Sequence, residues 1–158
     1  MLDLNVLDPG EITYALSDQA AYEHCWLIHS QTGEIVYWSA DTGIDGHTRV
    51  DLDDLDPDLI SIRPLPSWIW YRDMEDFAGG ITDDRAGRSL TRAITGQGAF
   101  RRFKDKLNEQ YPNLLPAWYA FSEARALRRA VQWLAEQELI DQETADHYQT
   151  SHPEPDLP

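Results

Sequence analysis

The hydrophobic pattern of this chain changes period once. Strand formers crowd the first third, in Tyr22-Glu23-His24-Cys25-Trp26-Leu27-Ile28-His29 and in Ile35-Val36-Tyr37-Trp38. Gln31-Thr32-Gly33-Glu34 lies between them as turn chemistry, so the two runs predict a β-hairpin. Leu59-Ile60-Ser61-Ile62-Arg63 predicts a third strand, stopped by Pro64 and Pro66. A short helix precedes the hairpin, with Asp8 as cap, Pro9 at the first helical position and Glu11 three residues after the cap. Residues 39–58 are acidic and turn-rich and read as a loop.

Helical spacing takes over after Pro66. Trp70, Met74, Phe77 and Ile81 mark one buried stripe, which Gly79-Gly80 should end. Thr82-Asp83-Asp84 caps a short helix running to about Ile94. Phe100, Phe103 and Leu107 predict the buried stripe of another, broken by Pro112. A long helix is expected over about 116–138 and a short one over 142–148. The expected fold class is α+β: an antiparallel sheet of about three strands, the hairpin plus one, packed with four to six helices. Residues 1–150 read as one globular domain, large enough for a hydrophobic core, and 151–158 as a disordered tail.

Charge changes this picture more than composition does. The chain of 158 residues carries a net charge of −15. Residues 85–129 nevertheless hold 10 of its 13 Lys and Arg and only 3 of its 28 Asp and Glu. A net negative charge opposes loose attraction to nucleic acid or an anionic membrane. A basic face can still act locally, because charge is screened over about 8 Å at physiological ionic strength. One cysteine, Cys25, excludes an intramolecular disulfide and a cysteine-rich zinc site. The opening residues carry no basic and apolar leader pattern, and no run approaches a membrane span of about 20 apolar residues, so the expected compartment is the cytoplasm.

Two segments carry candidate binding chemistry. In Gly96-Gln97-Gly98-Ala99-Phe100-Arg101-Arg102-Phe103-Lys104-Asp105 the glycines permit a sharp turn into a helix, whose first N–H groups can hold an anion beside Arg101, Arg102 and Lys104. The pattern lacks the third glycine of a dinucleotide fingerprint, and no strand is expected before it, so it fits neither that fingerprint nor a P-loop. The plainer alternative is a helix start whose arginines pair with acidic side chains, as Arg101 and Asp105 are spaced to do. On the long helix, Ala126, Leu127, Ala130, Val131 and Leu134 share the inward face, and Trp118, Phe121, Arg125, Arg128, Arg129 and Gln132 fall on the other. Arginine beside exposed rings serves base stacking and protein hot spots alike. The plainer alternative is that neighbouring helices bury Trp118 and Phe121. Asp41-Thr42-Gly43-Ile44-Asp45-Gly46 opens like a calcium loop, but Leu52 occupies the place of the bidentate glutamate. The Asp51, Asp53, Asp54, Asp56 and Asp58 cluster reads as a solvated loop with weak cation binding at most. No metal or cofactor is expected.

Gly96–Asp105 is very similar to the hallmark of the uncharacterised bacterial UPF0158 family. Trp118-Tyr119-Ala120-Phe121 and Trp133-Leu134 resemble two further elements of that family, and Ser30-Gln31-Thr32-Gly33-Glu34 resembles its Asp-x-x-Thr-Gly-Glu hairpin turn. His29 and Ser30 stand near the place where the family usually has an aspartate. The resemblance covers about residues 8–138 and implies a shared small α+β domain and no activity.

Three functional readings follow. The first is a non-enzymatic cytoplasmic binding module in which Arg101, Arg102, Lys104, Arg125, Arg128 and Arg129 supply charge and Trp118 an anchor, for an acidic protein or, less favoured, a nucleic acid. The second is a nucleotide- or phosphate-binding enzyme centred on Gly96, Gly98 and Arg102. The third is a structural homo-oligomer.

Overall fold

The computed structural model describes residues 1–18, 24–44 and 55–158. Its fold class is α+β. Backbone packing divides the chain into two compact units, 1–65 with 127–151 and 66–126 with 152–158.

The first unit holds the sheet. Strands β1 (His24–His29), β2 (Ile35–Ser39), β3 (Gly43–Ile44) and β4 (Leu59–Ile62) are antiparallel in the order β3-β2-β1-β4. The hairpin pairs Trp26 with Tyr37 and Leu27 with Val36, and β1 pairs Ile28 with Ile60 on its other side. The sheet therefore has four strands among the described residues, where about three are expected. The extra strand is the two-residue β3, which pairs Trp38 with Ile44 inside the segment expected to be loop. Two residues are too few for a period-2 pattern, so only pairing reveals it.

Helix α1 (Pro9–Ser17) starts as its sequence predicts, with Asp8 accepting from the Gly10 and Glu11 N–H groups. It buries Ile12, Ala15 and Leu16 beside Ile28 and Ile62 of the sheet. Ala130, Val131 and Leu134 and residues Leu139, Ile140 and Ala145 complete this cluster. Helix α6 (Gln142–Ser151) is capped by Asp141, which accepts from Thr144 N–H at 2.7 Å. Hydrogen bonds from the Thr144 side chain and backbone N–H hold the Asp141 carboxyl below its usual pKa. Cys25 is half-buried in β1, and desolvation raises its thiol pKa, which suits a packing residue rather than a nucleophile.

The second unit is helical. It contains α2 (Ser67–Gly80), α3 (Asp84–Ala93), α4 (Ala99–Gln110) and the first part of α5 (Leu115–Glu136). Its centre is aromatic. Phe77 and Phe103 have no exposed surface, and Trp118 meets both rings edge-on at 5.3 and 4.8 Å. Such pairs contribute about 0.5–1.5 kcal/mol each beyond the area they bury. Phe100, expected in the same stripe, is instead 36% exposed and sits edge-on to Tyr71 at 4.7 Å. It lies in the first turn of α4, where a ring meets only one neighbouring helix.

Residues 152–158 lie on the second unit as an extended segment. Leu157 packs against the aromatic cluster, and Thr82 N–H donates to the Pro158 carbonyl at 2.8 Å. Proline and charge lower the tendency to form a core, but they do not stop a segment from lying on one already built.

Helices α2 and α3 approach closely at Gly87. A Cβ there would lie 2.7 Å from the Ala78 carbonyl oxygen, a backbone atom that cannot step aside. Gly87→Ala is expected to destabilise the protein by about 1–3 kcal/mol, the usual cost of overpacking. Urea titration checks this; an unchanged midpoint contradicts the packing.

Candidate functional site

The Gly96–Asp105 segment builds its turn from backbone. Gly96 has φ +79° and Gly98 φ +72°, both in the left-handed region that a side chain resists. Gly98 is the N-cap of α4 and makes no side-chain cap. Arg102 stands one turn into that helix and reaches back. Its Nε donates to the Ala93 carbonyl at 3.0 Å, and its two terminal nitrogens donate to the Thr95 and Gln97 carbonyls. The guanidinium therefore closes the α3–α4 turn by satisfying the last carbonyl of α3 and two carbonyls of the turn itself. A side chain expected to hold an external anion spends its hydrogen bonds on the chain itself.

The cations of α3 and α4 line a groove. Arg85 and Arg92 are two turns apart on α3, with half-buried Ser89 between them. Arg102 and Lys106 are one turn apart on α4. The groove encloses about 680 Å³, and Asp105 and Glu109 are the acidic groups in its wall. Arg85 and Arg92 are exposed, and neither has a carboxylate at ion-pair distance among the described residues. Neither Gly96 nor Gly98 is among the lining residues. Arg101 and Lys104 are also exposed. Arg101 is 3.8 Å from Asp105, the helical ion pair its spacing predicts.

Helix α5 treats its candidates differently. Trp118 and Phe121 are buried in the aromatic cluster, at 7% and 3% exposure, so Trp118 is not available as a stacking surface. Arg125 lies over the Phe121 ring, 4.5 Å from its centroid. Its Nη1 donates to Asp73 at 3.3 Å and to Asp76 at 2.6 Å, and its Nε donates to Glu154 at 2.9 Å. Burial alone would lower the guanidinium pKa. Hydrogen bonds to Asp76, Glu154 and Asp73 outweigh it and raise the value. Asp73 is almost fully buried, at 3% exposure, so Arg125 is the counter-charge that makes its burial tolerable. Arg128 donates to the Gln149 carbonyl at 2.7 Å, and the Gln149 side-chain amide donates to the Arg128 carbonyl. Arg129 is half-buried and engaged. The cationic residues of 85–129 thus do not form one patch. Arg102, Arg125 and Arg128 are tied to the fold, and the exposed charge is carried by α3 and α4.

Two features went unmarked in the sequence. Arg85 and Arg92 are groove residues, and their i, i+7 spacing on a capped helix was the available signal. Trp68 is 61% exposed and shares a hollow with Tyr71 and Arg72. It falls outside the stripe of Trp70, Met74 and Phe77, which was enough to place it on the surface.

The acidic segment supplies one group of possible cation ligands. His29, Asp56 and Asp58 offer atoms within 4.8 Å of one another. Asp56 Oδ1 already accepts from Asp58 N–H, and His29 Nδ1 accepts from Gln31 N–H. Asp51, Asp53 and Asp54, and most of the stretch expected to resemble a calcium loop, lie outside the described residues. His24 bonds Asp18 at 2.8 Å, an acceptor it shares with the Trp26 indole N–H. Among the described residues no helix is long and apolar enough to cross a membrane.

The two arginine clasps have distinct costs. Arg125→Met should lose about 3–5 kcal/mol in chemical denaturation by leaving Asp73 buried without its counter-charge. Adding Asp73→Asn should recover part of that loss; no recovery contradicts the assigned pairing. Arg102→Lys should destabilise nearly as much as Arg102→Ala, about 1.5–3 kcal/mol, because an ammonium cannot reproduce the planar fork across three carbonyls. Full rescue by lysine excludes that role.

The family model described as "Uncharacterised protein family (UPF0158)" matches residues 10–151. UPF0158 protein PA5073 of Pseudomonas aeruginosa is 29% identical over 133 residues, which is 84% of this chain and 84% of that protein. No solved structure matches the chain. The α+β fold and the family-model match over 10–151 lead to one conclusion: this chain belongs to the uncharacterised protein family UPF0158.

Proposed function

We propose that this chain is a non-enzymatic cytoplasmic binding module, and that the α3–α4 groove takes an acidic segment of a protein partner. One observation carries the reading. Arg85 and Arg92 stand exposed and without ion pairs among the described residues, opposite Arg102 and Lys106, in a protein of net charge −15. Two short rows of cations facing each other suit a chain of spaced carboxylates. Arg102 is held rigid by its carbonyl bonds, so its remaining N–H groups lose little freedom on binding. Arg101 and Lys104 extend the positive surface along α4.

Protein is favoured over nucleic acid for two physical reasons. The surrounding charge repels a polyanion at long range, and Asp105 and Glu109 interrupt the groove. The phosphate-binding enzyme centred on Gly96–Arg102 is disfavoured because neither Gly96 nor Gly98 lines the groove. A homo-oligomer remains a distinct reading because Trp68 is exposed beside Tyr71. Sedimentation over a hundredfold range of concentration separates it: a stable dimer lost in Trp68→Ser would favour assembly over the groove.

The groove is tested by fluorescence anisotropy with a labelled glutamate-rich 15-residue peptide and, separately, a single-stranded 20-nucleotide RNA. The peptide should bind, and Arg85→Glu with Arg92→Glu should weaken it at least tenfold without altering the melting temperature. Tighter binding of the RNA, with steep loss of affinity as salt rises, would replace the protein reading by a nucleic-acid one. Binding of neither probe, or peptide binding indifferent to both reversals, would remove the groove as the site.

A further inference from the structure

Residues 152–158, His-Pro-Glu-Pro-Asp-Leu-Pro, lie in the second unit as an extended segment with no helix or strand. The contacts that hold them there include three of different kinds. The Glu154 carboxylate accepts from Arg125 Nε at 2.9 Å. Leu157 packs over the end of α2, where a Cβ on Gly80 would lie 2.5 Å from its Cδ1. Thr82 N–H, in the link between α2 and α3, donates to the Pro158 carbonyl at 2.8 Å. Together these are a charge anchor, an apolar seat and a backbone bond. They are the elements by which a protein surface reads an extended peptide.

The receiving surface is organised without that segment. Asp73 and Asp76 hold Arg125 through Nη1, and the Phe121 ring supports the guanidinium from below. Both carboxylates and the ring belong to helices, so the Nε–H direction is set before any ligand arrives. Gly80 supplies the seat simply by lacking a side chain. The segment itself brings three prolines in seven residues, which restrict its backbone and lower the entropy lost on docking. Its own hold is slight, since Glu154 is exposed and Leu157 only half-buried. Solvent-exposed anchors on a preformed surface describe an exchangeable ligand better than a structural element.

We propose that Arg125, the Gly80 seat and the Thr82 amide form a peptide-binding site, and that residues 152–158 are its resident ligand. The site takes an extended acidic protein segment with glutamate three residues before leucine. Tethering favours the chain's own copy through effective concentration, so another protein's segment enters only when that copy detaches. The proposal involves other residues than the α3–α4 groove and does not depend on it.

The test uses the full chain. Glu154→Gln with Leu157→Ala removes the charge anchor and the apolar anchor of the resident segment and leaves the receiving surface intact. A fluorescein-labelled peptide of sequence HPEPDLP should bind this variant saturably, and the wild-type protein at least tenfold more weakly. The same peptide with glutamine for glutamate and alanine for leucine should not bind. Adding Gly80→Val to the variant should abolish binding by filling the seat. A variant that keeps its circular dichroism spectrum yet fails to bind the peptide overturns the proposal, as does equal binding of the altered peptide. Should the double variant not fold, amide exchange at Thr82 decides instead. Glu154→Gln alone should speed that exchange at least tenfold over wild type, and an unchanged rate shows the segment to be a fixed part of the fold.

Discussion

A helix that must bury two different faces governs this molecule. Helix α5 places Trp118 and Phe121 in the aromatic cluster of one unit and Ala130, Val131 and Leu134 in the aliphatic cluster of the other. Glu123 and Glu136 of this helix are exposed, whereas its arginines fall on the side of the buried Trp118 and Phe121. Arg125 and Arg128 are half-buried as a consequence, and a half-buried cation needs partners. Arg125 finds three carboxylates and a ring, and Arg128 finds a backbone carbonyl. The burial that makes the fold is what withdraws these arginines from solvent.

The same logic separates the basic residues into two kinds. Those on α5, together with Arg102, complete the hydrogen bonding of the fold. Those on α3 and on the outer side of α4 stand where each helix has one buried stripe and a wide polar face. Helix α3 buries Ala86, Gly87, Leu90 and Ala93 and leaves Arg85, Arg88 and Arg92 outside. Amphipathic helices export the charge of their polar face, whereas arginines that flank a buried aromatic stripe find partners within the fold. This is why an excess of positive charge in the sequence becomes a local groove rather than a broad patch.

Much of the architecture was legible. The hairpin, the Asp8 and Asp83 caps, the breaks near Gly80 and Pro112 and the long helix all follow from local chemistry, and each appears within a few residues of its expected place. The site was less legible. Arg102 could be placed at the start of α4, but its target could not, because the carbonyls of Ala93, Thr95 and Gln97 converge only after the turn closes. Trp118 had two readings in the sequence, a surface anchor or a ring buried by neighbouring helices, and the structure has the second. A helical wheel put it opposite the inward face, and a second inward face is invisible to a wheel drawn for one core. The acidic residues 154 and 156 read as solvated until Arg125 is seen waiting for one of them.

The order of elements, their caps and the sign of the charge along the chain are properties of neighbours in sequence, set by dihedral preference, hydrogen-bond caps and periodicity over a few residues. The sequence alone also places this chain in its family, through a match that runs over residues 10–151. Which cations remain free is a different kind of property. It depends on groups such as Arg125 and Asp73, 52 positions apart, meeting in a partly desolvated place where each charge becomes the condition for burying the other. Only the tertiary structure brings them within hydrogen-bonding distance, and the strength of that interaction depends on the water that folding removes.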